Sequence, residues 1–535
     1  MLLLTLPAAL AAPPSPAVAD APASVEAALL DAWALPAGPE RMTWATRQPQ
    51  PRPDPSILTI VLELVQDADE QGVTEDALAL HPEVGVEARA PGRLQLAVPY
   101  DVLPDLAWIA GVARVRQPRL ARAREVVTEG RDIIFEEDWH AQGVTGEGVT
   151  VAILDIGFNG WDDLLGEELP EDTVAAFDDA GSSSHGAAVA EIVHDIAPGA
   201  TLRLYRFLTD VEYGEQMVAI SDDGVDVVNA SIGFDNIAHA DGEGYAAQLV
   251  DALADEGVVY VAAAGNEVGR YRIGPLTDVD GDGLVELDGQ GEITLDASFG
   301  YAEASLRWSE VFGEAAVDLD LELVGASGVC DAGRNAQDGD DLPYESATCA
   351  NVRGLVVARV TTDGALPEGL TGYLYAPAGL GATETASVDS TLTLPADAKG
   401  AIAVGATDPD TGALLDYSSH GPTDDGRTKP DVVAPGVVST ASLAGFAFEG
   451  TSAAAPHVAG VAALILSQRT HARVSTVRDI LMEQAEDIAP DGVDNATGAG
   501  EVRTRALPGS CGCGVGGGGG WVALLLPLLL ARRRA

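Results

Sequence analysis

Apolar residues follow three successive rhythms along the chain. Between Ala21 and about Arg124, strand-like runs at Ile57–Leu64, Leu94–Val98 and Val112–Val115 are separated by helical spacing, which predicts a small α+β unit over residues 20–124. From Gly143 onward, continuous apolar runs alternate with amphipathic stretches. Strands are expected at Val149–Ile156, Leu202–Phe207, Val225–Ile232 and Val258–Ala264, with helices from His185, near Glu215 and near Ala246. Runs that are apolar throughout belong to strands covered on both faces, so this part reads as α/β, a parallel sheet sandwiched by helices. Between Tyr271 and Leu394 the rhythm breaks into short strands with Gly and Asp turns, among them Leu306–Trp308 and Ala316–Leu321. That stretch is expected to be an all-β insert. The α/β pattern resumes at Ala401–Gly405 and closes with helices at Ser452–Arg469 and Val474–Ala485. One domain, 139–270 plus 395–505, thus straddles an insertion of 271–394.

The two ends follow neither rhythm. Residues 1–19 are Leu-rich, then Ala/Pro-rich, and end in Ala17-Val18-Ala19, a small-x-small pattern suited to a signal peptidase. An exported protein is expected, with an apolar propeptide start as the alternative. Residues 506–535 carry Cys511-Gly512-Cys513, a glycine run from Gly516 to Gly520, an apolar stretch Trp521–Ala531 and Arg532-Arg533-Arg534. The apolar stretch is shorter than the ~20 residues of a spanning helix, and the arginines would stay on the cytoplasmic side. This order resembles the C-terminal sorting tags of myxobacterial surface proteins. The resemblance implies a sorting protease as partner, membrane contact only through the tag and residence at the outer cell surface or in the medium. A plain tail anchor is the other reading.

Charge narrows the partners. Asp and Glu number 83 against 30 Lys and Arg, a formal charge of −53, which repels a phosphate backbone and excludes nucleic acid as a partner. Cys330 and Cys349 lie in one segment and are placed to close a modest loop in an oxidising compartment. No Cys/His spacing suits zinc.

Three positions stand out chemically. Asp155 ends an apolar strand, at the sheet edge where ligand crevices open, although an Asp capping the next loop would look the same. His185 follows Gly181-Ser182-Ser183-Ser184 and opens a helix of small residues, the most site-like setting among eight histidines. His194 lies nine residues on, about half a turn away at roughly 100° per residue, and is read as structural. Ser452 stands in Gly450-Thr451-Ser452-Ala453-Ala454-Ala455-Pro456-His457-Val458-Ala459-Gly460, at the start of an apolar helix whose free N–H groups favour negative charge.

These segments resemble the subtilisin-like serine proteases, in which Asp, His and Ser follow in that chain order. The match lies in Asp155-Ile156-Gly157, His185-Gly186 and Gly450–Gly460, and Asn266 in Ala262-Ala263-Ala264-Gly265-Asn266 falls where the family places its oxyanion-hole asparagine. Ala187 and Ala453 depart from the usual Thr and Met, which bears on substrate fit rather than on proton transfer. The resemblance implies hydrolysis of peptide bonds by Asp155, His185 and Ser452, since serine becomes a good nucleophile only when an oriented imidazole takes its proton. It further implies Asn266 and the Ser452 N–H as oxyanion donors, substrate pairing along Asn229–Gly233 with Ser231, Ile232 and Gly233 in contact, and a self-processed precursor whose first unit is a propeptide. The expected cut lies within about Arg119 to Asp138, the Arg119, Arg122 and Arg124 stretch reading as an exposed linker. No cofactor is needed for the chemistry. In the insert, Asp278, Asp280 and Asp282 alternate before Gly283, and no Glu takes the twelfth position of an EF-hand. Structural calcium and a solvated acidic turn both fit. The insert resembles β domains of some bacterial subtilases. The rival functional reading is a surface binding or adhesion protein that uses an inactive protease fold as a scaffold.

Overall fold

The computed structural model describes Ser24–Val25 and residues 56–505, apart from short breaks at 66–67, 91, 117–126, 135–136, 299, 353–354, 444–445 and 471. The expected leader (1–19), the tail (506–535) and the basic stretch 119–124 lie outside the described residues. The chain divides into two compact units, 1–122 and 123–535.

The first unit contains strands β1 (Ser24–Val25), β2 (Ile57–Leu64), β3 (Gly85–Ala90), β4 (Arg93–Pro99) and β5 (Val112–Arg116), with helix α1 (Glu70–Leu80) between β2 and β3. They form one sheet in the order β1-β5-β2-β4-β3. Period-two alternation in β2 and β4 sends Ile60, Leu62, Leu94, Leu96 and Val98 to one face, where Val73 and Ala77 of α1 cover them. The helix starts at Asp69, whose carboxylate accepts the Gly72 N–H at 3.1 Å.

The second unit is built on a seven-stranded parallel sheet. Its strands are β6 (Thr150–Asp155), β7 (Val174–Ala175), β8 (Thr201–Arg206), β9 (Val227–Ala230), β10 (Val259–Ala263), β20 (Ala401–Thr407) and β21 (Val432–Pro435), ordered β21-β20-β10-β9-β6-β8-β7. Helices α2 (His185–Ile196), α3 (Asp210–Asp222), α4 (Tyr245–Glu256), α5 (Thr451–Gln468) and α6 (Val474–Gln484) cover it. Alternate residues of each strand feed different cores. Val151, Ile153, Val259 and Val261 pack with α2 and α5. Ala152, Leu154, Tyr260 and Ala262 pack with α3 and α4. Burial on both faces explains why these strands read as unbroken apolar runs. A two-stranded hairpin, β22 (Val437–Ser439) and β23 (Ala447–Glu449), leads into α5.

The insert is an antiparallel nine-stranded sheet: β11 (Tyr271–Thr277), β12 (Leu284–Leu287), β13 (Ile293–Asp296), β14 (Tyr301–Trp308), β15 (Asp320–Gly325), β16 (Gly328–Gly333), β17 (Tyr344–Ala350), β18 (Leu355–Thr361) and β19 (Thr371–Tyr375). The order β16-β15-β18-β12-β11-β19-β14-β17 places β16 and β17 at its two ends. The Cys330–Cys349 disulfide joins those ends, giving a nearly closed barrel around Leu306, Trp308, Leu321, Leu323 and Leu374. The insert is fastened to the parallel-sheet domain by buried polar contacts. Arg307 pairs with Asp424 at 2.9 Å and donates to Asn236 Oδ1 at 3.0 Å.

Two expected strands are shorter than their apolar runs. Ala316–Val317 stays outside β15 because its N–H groups donate to the Glu310 carboxylate rather than to a neighbouring strand. The run Val225–Ile232 yields only Val227–Ala230 as strand, because the Ser231 carbonyl and hydroxyl are turned towards Ser452.

Candidate active site

β6 delivers Asp155, fully buried, to its carboxyl end. One carboxylate oxygen accepts the Ile156 N–H at 2.8 Å, and the other lies 2.7 Å from His185 Nδ1. His185 is the first residue of α2, and its own N–H donates to Ser183 Oγ at 3.2 Å. Burial opposes charge on this imidazole, but the Asp155 carboxylate outweighs it through charge and hydrogen bond, so the His185 pKa is raised above the ordinary value. With Nδ1 committed to Asp155, Nε2 is the nitrogen left to exchange a proton. Phe448 of β23 packs edge-on against the ring, centroids 5.1 Å apart, which joins the histidine to the strand that runs into Ser452.

Ser452 lies in the first turn of α5, nearly buried. Pro456, four residues on, has no N–H to give the Ser452 carbonyl. That carbonyl instead accepts the Ser231 hydroxyl at 2.9 Å, and the Ser452 hydroxyl donates to the Ser231 carbonyl at 2.9 Å. Ser231 Oγ also accepts from Asn229 Nδ2 at 3.0 Å. In this arrangement the serine hydroxyl rests on Ser231, and a turn about its Cα–Cβ bond is needed to aim it elsewhere.

Asn266 follows β10. Its Oδ1 accepts the Thr451 N–H at 2.9 Å and the Thr451 hydroxyl at 3.1 Å, so its Nδ2 is turned away from Thr451 as a donor. Two glycines permit this approach. Gly450 has φ +127°, and a Cβ there would come within 3.0 Å of Asn266 Nδ2. Gly265 has φ +113°, and a Cβ there would meet Thr393 Oγ1 and Ser419 Oγ. Ala187 and Ala453 are fully buried, in the cores behind the histidine and the serine.

Tertiary structure adds residues that no local motif marks. Asp235 and Glu267, just beyond Ser231–Gly233 and Asn266, are bridged by the hydroxyl of Tyr375 from the insert, at 3.1 and 2.8 Å. The only signal in the sequence is proximity to the matched motifs. Asp278, Asp280 and Asp282 do come together, their carboxylate oxygens within 4.8 Å of one another. Each also accepts a backbone N–H of its own turn: Gly281 to Asp278 at 2.8 Å, Asp282 to Asp280 at 3.3 Å and Leu284 to Asp282 at 2.9 Å. A second trio, Asp338, Asp340 and Asp341, gathers in the same way.

The parallel sheet between helical layers, with Asp155 bonded to His185 on one side and Asn266 and Ser231 bonded to the first turn of α5 on the other, has the layout of a subtilisin-like fold. A model of the subtilase family matches residues 146–284 and 381–500, leaving out residues 285–380 within the β insert. Among curated proteins the chain is similar to serine protease AprX of Bacillus subtilis (strain 168), 28% identical over 46% of this chain and 56% of the relative. It is also similar to the minor extracellular protease Vpr of the same organism, 27% identical over 68% of this chain and 51% of the relative. The chain therefore spans about half the length of these relatives. Among solved structures, the Clostridium perfringens CspB protease shares the fold, with TM-score 0.52 and 18% identity over 70% of this chain and 97% of that one.

Proposed function

We propose that the protein is an exported serine endopeptidase that hydrolyses polypeptides through Asp155, His185 and Ser452. The observation that supports this most directly is the 2.7 Å contact between buried Asp155 and His185 Nδ1, on the segment that Phe448 ties to Ser452. In the reaction, His185 Nε2 takes the Ser452 proton as Oγ attacks the carbonyl carbon. The Asp155 carboxylate stabilises the imidazolium, and the proton then passes to the leaving amine. Asn266 Nδ2 and the Ser452 N–H, at the α5 N-terminus, hold the developing oxyanion, where one such donor contributes about 2.7 to 4 kcal/mol. Water repeats the sequence on the acyl-enzyme. Substrate pairs along Ser231, Ile232 and Gly233 beyond the end of β9.

The same reading makes residues 20–124 a propeptide removed by the enzyme itself, and residues 506–535 a tag read by a sorting protease that leaves the protein on the cell surface or released. The leader-like residues 1–19, the resemblance to a relative named as extracellular and the disulfide of the insert support export. Among the described residues no helix is long and apolar enough to cross a membrane. Calcium bound by Asp278, Asp280 and Asp282 is a structural addition in this reading and takes no part in the chemistry. Labelling of the purified protein by a fluorophosphonate, abolished by Ser452→Ala, tests the function. Absence of labelling in the intact protein would favour the scaffold reading instead.

A further inference from the structure

The chain segments that follow the parallel neighbours β9 and β10 diverge at the carboxyl edge of the sheet. On one arm Ser231 and Ser452 exchange hydrogen bonds, and on the other Asn266 accepts from Thr451. Residues 393–394 run between the arms and close the gap. Phe234 and Leu394 exchange N–H···O bonds at 2.8 and 2.9 Å, and the Thr393 N–H donates to the Ala264 carbonyl at 2.9 Å. The spacing of the two arms is therefore set by hydrogen bonds at this closed root.

A side chain of the β insert completes that root. Tyr375, the last residue of β19, is buried beside Tyr271 of β11, with ring centroids 4.8 Å apart. Its hydroxyl lies 3.1 Å from Asp235 Oδ2 and 2.8 Å from Glu267 Oε2. Glu267 carries the contact on to the asparagine, since its Oε1 accepts the Asn266 N–H at 3.3 Å and its own N–H donates to Ser419 Oγ at 3.0 Å. Asp235 carries it to the other arm, and its Oδ1 accepts the Thr393 hydroxyl at 2.9 Å. A phenol has one proton and cannot donate to two carboxylates at once. Glu267 is the nearer and also pairs with Arg270 at 3.1 Å, so it takes the Tyr375 proton as a carboxylate. The Asp235 contact then needs a proton on Asp235, with the Tyr375 oxygen accepting. Burial, with the Glu267 charge beside it, pushes the Asp235 carboxyl up to about 7 against the pull of Arg270, in keeping with a proton held there.

We infer that Tyr375 is a positioning residue for the proposed reaction: a line of two hydrogen bonds, from Asp235 to Tyr375 and from Tyr375 to Glu267, fixes the Asn266 segment against the Ser231–Gly233 segment. This rests on the proposed active site and adds to it a residue of the insert that touches neither the substrate nor the reacting atoms. The physical reason lies in what an oxyanion donor requires. Such a donor acts fully only when it stands about 2.7–3.1 Å from the oxygen that becomes charged, and a misplacement of about 1 Å transmitted from a distance can cost about 10²-fold in rate. Hydrogen bonds hold a separation more tightly than apolar packing of the same shape, because each has a narrow range of length and angle. The β insert thus braces the site from behind.

The test compares the full-length protein with Tyr375→Phe, Asp235→Ala and Asp235→Asn on one fluorogenic peptide, with active sites counted by fluorophosphonate titration. Tyr375→Phe keeps the ring and removes the bridge, so kcat per titrated site should fall at least about tenfold while KM stays within about threefold. Asp235→Ala should lower kcat to a similar degree. Asp235→Asn should recover most of it, because the amide Nδ2 donates to Tyr375 as the protonated carboxyl does and Oδ1 still accepts from Thr393. Full kcat per titrated site in Tyr375→Phe, whatever its KM or Tm, would overturn the inference and leave the catalytic reading intact. Equal kcat in Asp235→Asn and Asp235→Ala would do the same. If Tyr375→Phe does not fold, that comparison at Asp235 decides the matter. An unaltered protein that neither labels nor hydrolyses the peptide would overturn the inference and the catalytic reading together.

Discussion

Glu191, on the helix that His185 opens, accepts the backbone N–H groups of Ala441 at 2.5 Å and Ser442 at 3.0 Å, while almost fully buried. Residues 441 and 442 lie in the β22–β23 loop, and β23 carries Phe448 against the His185 ring. One carboxylate thus couples the histidine helix to the strand that feeds the serine. Glu191→Ala would strand the buried Ala441 donor, an error worth about 1–3 kcal/mol, and leave the half-buried Ser442 donor without this partner. The expected outcome is a lower Tm together with a fall in kcat larger than any change in KM. An unchanged rate of fluorophosphonate labelling would show that Glu191 serves stability alone.

Asp155→Asn keeps the size of the side chain but removes the charge that orients and supports the imidazole. Activity should drop by about 10⁴-fold with little loss of fold, by the logic of such triads. The acid limb of kcat/KM against pH should have its midpoint above the ordinary histidine value, because Asp155 raises the His185 pKa. A midpoint at or below 6 in the unaltered enzyme would contradict the ion pair.

Burial pushes Asp195 and Asp235 up to about 7 and Asp397 up to about 6. These groups bind protons in the folded chain before they do so in the unfolded one, so their contribution to stability is present at low pH and fades as pH rises through 6 to 7. Thermal denaturation should therefore show a higher Tm near pH 5.5 than near pH 8. General relief of the −53 charge acts in the same direction. Asp195→Asn separates the two causes, since it should flatten the dependence at a nearly unchanged total charge.

If calcium occupies the Asp278–Asp282 turn, EDTA should lower Tm and added Ca²⁺ should restore it, by mass action on the folded state. Asp280→Ala should abolish the response. The turn's own N–H contacts already close it, so an unchanged Tm in both experiments would assign the trio to solvated turn chemistry.

Self-processing predicts that Ser452→Ala keeps residues 20–124 covalently attached, whereas the unaltered protein yields a shorter chain. The new start must fall before Thr128. That residue's N–H is bonded to Asp195 at 2.8 Å and its hydroxyl lies 2.9 Å from His457 Nε2, and Trp139 further on is buried. Equal processing of both proteins, seen by N-terminal sequencing, would assign the cut to another protease.

Asp155, His185, Asn266 and Ser452 were singled out as candidates by the resemblance of Asp155–Gly157, His185–Gly186, Ala262–Asn266 and Gly450–Gly460 to the subtilisin-like proteases. The parallel sheet was readable because strands covered on both faces must be apolar at consecutive positions. The chain alone thus determined the fold class and the presence of a β insert. The partnerships were decided by tertiary structure. Tyr375 reaches Asp235 across 140 positions, and Glu191 reaches Ser442 across 251. Hydrogen bonds of that kind leave no periodicity in the sequence, because they depend on where the folded sheet and the inserted barrel bring side chains together. The coupling behind His185 therefore became visible only with the packed structure.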